Sequence, residues 1–79
     1  MNNLEYVQTL LIDEHFYRGL VLLQETEESC LFGGRDSFGF AVIVKVDKTA
    51  SVCRDDWYVY EQDENDPPEY WAEIGTLLP

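Results

Sequence analysis

The chain has 79 residues and a mass of 9.2 kDa, enough for one domain over residues 1–79 and too little for separate catalytic and binding domains. Sixteen Asp and Glu against five Lys and Arg give a net charge of −11, which opposes direct contact with nucleic acid or anionic lipid. A composition of 46% apolar and 14% aromatic residues excludes a disordered acidic tail, and no run approaches the ~18 apolar residues of a membrane span.

Leu4, Val7 and Leu11 fall at helical spacing behind Asn2, which stands three residues before Glu5 as in a capping box. Alternation of Leu4, Tyr6, Leu10 and Ile12 would also suit a strand, and Asp13 and Glu14 oppose the dipole at a helix C-terminus. A short helix is the expectation. From Phe16 to Gln24 the chain is strongly apolar, and Gly19 in its middle favours a buried strand over a helix. Glu25 to Ser29 then forms a polar turn.

Phe38, Phe40, Val42, Val44 and Val46 alternate with Gly39, Ala41, Ile43 and Lys45, the period-two signature of a half-buried strand. Gly33-Gly34-Arg35-Asp36-Ser37 has the composition of a hairpin loop returning the chain from Cys30-Leu31-Phe32. After a turn at Asp47-Lys48-Thr49, residues 51–54 and 57–61 read as one strand broken at Asp55-Asp56, or as two short ones. Asp66-Pro67-Pro68-Glu69 resembles an N-cap with proline in the first turn, so Tyr70, Trp71 and Ile74 are expected on one face of a short helix stopped by Gly75. The fold class expected is α+β: a three- to four-stranded antiparallel meander with a short helix at each end.

No constellation for catalysis stands out, and the chain is expected to be non-catalytic and without cofactor. The one histidine, His15, lies among Asp13 and Glu14, three neighbours that cannot all face one metal ion. Asp63-Glu64-Asn65-Asp66 has the acidity of a calcium loop, but its sixth position lacks the glycine and its twelfth holds Ile74. Gly33-Gly34-Arg35-Asp36-Ser37 lacks the Gly-Lys-Ser/Thr ending of a phosphate loop. Cys30 and Cys53 form no CxxC pair and are expected as buried or half-buried free thiols in strands, a disulfide between neighbouring strands being the alternative in an oxidising compartment. Met-Asn-Asn-Leu-Glu at the N-terminus lacks the basic and apolar regions of a signal peptide, so a cytoplasmic location is expected.

The charge is unevenly placed. Residues 1–54 hold eight acids and all five bases, whereas residues 55–79 hold eight acids and no base. Trp57, Tyr58, Tyr60, Tyr70 and Trp71 are interleaved with those acids. Such a surface steers toward a basic partner and then anchors on it. The candidate partner-binding residues are Asp55, Asp56, Tyr58, Tyr60, Glu61, Asp63, Glu64, Asp66, Glu69 and Glu73. The alternative is that Trp57, Val59 and Trp71 are core, with Tyr58 and Tyr60 facing out and the acids serving solubility alone.

In size, charge and acid–aromatic interleaving, Asp55-Asp56-Trp57-Tyr58-Val59-Tyr60-Glu61 and Asp63-Glu64-Asn65-Asp66 resemble the small acidic inhibitors made by phages and mobile elements, anti-CRISPR and other DNA-mimic proteins among them. The resemblance implies a non-catalytic inhibitor in a bacterial host cell. Its partner would be the basic surface of a nucleic-acid-binding effector such as a CRISPR-Cas subunit. An immunity protein or antitoxin neutralising a basic toxin would show the same surface, and an enzyme or metal protein built on His15 is the third alternative.

Overall fold

The computed structural model describes residues 2–79. Helix α1 (Asn3–Asp13) leads into five strands: β1 (Arg18–Glu25), β2 (Ser29–Arg35), β3 (Ala41–Asp47), β4 (Tyr58–Asp63) and β5 (Ala72–Thr76). A 3-10 turn at Arg54–Asp56 precedes β4. The strands form one antiparallel sheet in sequence order, β1-β2-β3-β4-β5. The protein is therefore α+β with an antiparallel meander.

Asn2 caps α1, its Oδ1 accepting from the Glu5 N–H at 2.8 Å. Val7 and Leu11 are fully buried against the sheet, with Leu4 and Leu10 beside them. The sheet answers with Cys30 and Phe32 of β2, Val42, Val44 and Val46 of β3, and Val59 of β4, completed by Tyr17, Trp57 and Leu77. Burying each large aliphatic or aromatic side chain here stabilises by roughly 1.5–3 kcal/mol. α1 covers this face alone; no described element covers the other, which carries Leu31, Ile43, Lys45, Tyr58 and Tyr60.

Several expectations are corrected. The C-terminal helix does not form: Pro67 to Tyr70 makes one turn, with Tyr70 N–H on the Pro67 carbonyl at 2.9 Å, and the chain continues into β5. Helix nucleation is unfavourable over so few residues, whereas β4 offers an open row of donors and acceptors that Ala72–Thr76 completes. The sheet accordingly has five strands rather than three to four.

The hairpin turn lies at residues 36–40, and Gly33 and Gly34 belong to β2. Asp36 Oδ1 accepts from the N–H groups of both Phe38 and Phe40 at 2.9 Å, an Asx-type closure, and Gly39 takes φ +89°. Phe38 and Phe40 are thereby lifted out of the strand onto the turn. Residues 51–54 do not form a strand either; they lead into the 3-10 turn. β1 exists but is not buried, since it is an edge strand whose residues are exposed except for half-buried Leu20. Cys30 is buried in β2, while Cys53 is exposed, outside any strand, and both thiols are free.

Candidate functional site

The register places the ten candidate residues in four settings. Asp55 and Asp56 sit on the 3-10 turn, at the end of the sheet where β3 leaves and β4 begins. Asp55 is bound locally: its Oδ1 accepts from the Tyr6 hydroxyl, and Arg54 lies over the same Tyr6 ring, 3.8 Å from its centroid. The hydrogen bond to Asp55 raises the Tyr6 pKa.

Glu61 points to the core face, where its carboxylate accepts from the buried Tyr17 hydroxyl at 2.7 Å. Tyr58, Tyr60 and Glu73 lie on the uncovered face, with Glu73 directly opposite Tyr60. Lys45 lies between aromatic rings there, 5.1 Å from the Tyr60 centroid and 4.5 Å from that of Trp71. Desolvation and the adjacent Glu73 raise the Tyr60 pKa. Trp71 is half-buried on this face, whereas Trp57 is core, its Nε1–H donating to the Ser51 carbonyl at 2.8 Å.

Asp63 ends β4, and Glu64, Asp66 and Glu69 follow it in the connection to β5, at the opposite end of the sheet from Asp55. About 20 Å of strand separates the two groups. Local bonds set the shape of this acidic loop. Asp63 Oδ1 accepts from the Asn65 N–H at 2.8 Å, and Asp66 Oδ2 from the Asp63 N–H at 3.0 Å. The Gln62 side-chain amide converges on the carbonyls of Pro67, Pro68 and Tyr70 at 2.7–3.1 Å. Among the described residues the one ion pair is Lys48 with Glu25 at 3.4 Å, at the far end of the sheet. The four loop carboxylates thus have no basic partner of their own.

An open cleft of about 250 Å³ adjoins the loop, lined by Ile43, Gln62, Asp63, Glu64, Asp66 and Pro68 among others. No family model, curated protein or solved structure matches this chain.

The same end of the sheet carries two residues whose alternation predicts a strand. Since Arg35 pairs with Ala41 and Val42 with Asp63, the 36–40 turn and the acidic loop project from one end. Phe38 and Phe40 are 85% and 68% exposed on that turn. The available signal was Asp36 followed by Gly39, a turn composition that overlaps the period-two pattern. Exposed aromatic rings beside unpaired carboxylates combine apolar contact with attraction to cations.

Proposed function

We propose that this protein is a non-catalytic inhibitor that seats the acidic end of its sheet in the basic nucleic-acid-binding surface of another protein, in the manner of anti-CRISPR and DNA-mimic proteins, and blocks nucleic-acid or nuclease access. The observation that carries the proposal is the loop Asp63–Glu69, whose backbone is held by bonds to the Asp63 and Asp66 carboxylates and to the Gln62 amide, and whose four carboxylates have no ion-pair partner among the described residues. A channel that binds phosphates presents closely spaced Lys and Arg, and a matching polyanion releases the counterions condensed there. A rigid array loses less entropy on docking than a flexible acidic tail.

Capture from bacterial lysate on the immobilised protein, eluted by rising salt, tests the proposal. A nucleic-acid-binding effector released by salt and by competing DNA is the expected outcome. Capture should be lost in the triple variant Asp63→Lys, Glu64→Lys, Asp66→Lys with circular dichroism unchanged, and retained capture removes the assignment. An immunity protein or antitoxin for a basic toxin is the second reading, supported by exposed Phe38 and Phe40. Apolar anchors of that kind hold a partner that resists both salt and DNA.

A further inference from the structure

We infer that β1 is a self-association edge through which two copies of this chain pair antiparallel, joining their sheets into one of ten strands. β1 borders the sheet and bonds only to β2, so its outer side presents free backbone donors and acceptors. Edge strands in monomers are ordinarily protected by charge, proline, brevity or bulges, and between its charged ends β1 has only bulges, at Arg18–Val21 and Leu22–Gln24. β1 has eight residues, and Val21, Leu22 and Leu23 at its centre are 62%, 39% and 56% exposed.

The charge distribution points to a second copy as the occupant. In a chain of net −11, Arg18 is the only charged side chain between Glu14 and Glu25. Self-repulsion is therefore lowest along this edge. Antiparallel pairing also brings Arg18 of each copy toward the Glu25 end of the other, opposite charges at both ends of the contact. With the two-fold axis through Leu22, Leu22 meets its own copy, and Val21 of each chain lies across from Leu23 of the other. Val21 pairs with Gly33, and Leu23 packs 3.5 Å from where a Gly33 Cβ would stand, so both belong to the uncovered face. Over these three positions the register keeps like faces together, as a closed two-fold contact requires, and the shift between Leu22 and Gln24 ends the regular pairing beyond them. The other border, β5, is five residues long and carries Glu73, whereas β1 is longer and has no charge from Gly19 to Gln24; both borders contain a register shift and a glycine at positive φ. β5 is poorly suited to the same role.

Sedimentation equilibrium of the whole chain over a wide concentration range is the test. The expected mass doubles from 9.2 kDa as concentration rises. The association should strengthen with salt, because screening relieves the repulsion between two acidic chains. That dependence is opposite to the one expected for capture of a basic partner, so the two proposals fail separately. Val21→Lys with Leu23→Lys should weaken the dimer by roughly tenfold or more, as charge on an open edge does. Hydrogen exchange on the unaltered chain gives a reading independent of how the variant folds: β1 amides that do not bond to β2 gain protection as concentration rises. A monomer at every concentration overturns the inference. So does a dimer untouched by the folded double variant, or one that leaves those amides unprotected. Protection of β1 only on adding another protein would assign the edge to that protein and likewise overturn it.

Discussion

The Tyr17 hydroxyl donates to the Glu61 carboxylate at 2.7 Å, tying the segment that enters the first strand to the fourth strand of the sheet. Tyr17 is buried, and its own N–H bonds to the Leu11 carbonyl at 3.0 Å, so one residue joins α1, β1 and β4. Tyr17→Phe leaves a half-buried carboxylate without this donor and should destabilise by ~1–3 kcal/mol in denaturant unfolding. An unchanged midpoint would show that water replaces the hydroxyl without loss.

Burial, and then the bond to Glu61, push the Tyr17 pKa far above its usual value near 10. A pKa raised by folding contributes stability that is fully present below pH ~10 and declines as alkali ionises the unfolded chain first. Spectrophotometric titration should therefore show one of the five tyrosines ionising only as the protein unfolds, a step absent in Tyr17→Phe. Smooth titration of all five in the folded state would contradict this.

The two thiols should differ sharply. Burial pushes the Cys30 thiol up to about 11, while Cys53 is exposed. Reaction depends on access and on the thiolate fraction. A disulfide reagent at neutral pH should titrate one thiol per native chain and two after denaturation; two in the native state would place Cys30 within reach of solvent.

Aromatic truncations should separate core from surface. Phe32 is fully buried, so Phe32→Ala should cost ~3–5 kcal/mol. Trp71 lies half-buried on the uncovered face beside Lys45, and Trp71→Ala should cost less, near ~1 kcal/mol. Comparable losses in thermal unfolding would mean that the second face is also packed.

Gly34 is required for space. A Cβ there would stand 2.9 Å from both the Arg18 carbonyl oxygen and a Leu20 methyl, where β1 crosses close to β2. Gly34→Ala should destabilise by ~1–3 kcal/mol. A neutral result by chemical denaturation would show that β1 shifts freely.

What was legible in the sequence was what neighbours decide. The Asn2 cap with Leu4, Val7 and Leu11 specified α1, and Val42, Val44 and Val46 specified the inner face of β3. The segment after Asp66 departs from the helix its cap-like residues predict because they do not reveal that β4 lacks a neighbour, a fact held elsewhere in the chain. Phe38 and Phe40 extended a real alternation by two positions, and only the Asp36 bonds end it. The acidic segment was visible as composition, but composition does not separate Asp55, bonded by Tyr6, from the loop Asp63–Glu69 at the other end of the sheet.

The meander also sets an order of events in time. Each strand pairs with the next in sequence, so the hairpins need only short loop closures, which favours rapid formation. α1 is different. Tyr6 of α1 donates to Asp55, and His15 just beyond the helix donates its Nε2–H to the carbonyls of Thr76 and Leu77 at 3.1 and 2.9 Å, all contacts distant in sequence. The docking of α1 therefore needs contacts far apart in sequence, which cost more loop closure than the hairpins do. Substitutions at His15 should then accelerate unfolding with little effect on the folding rate, and a slowed folding limb would place α1 docking in the nucleus instead.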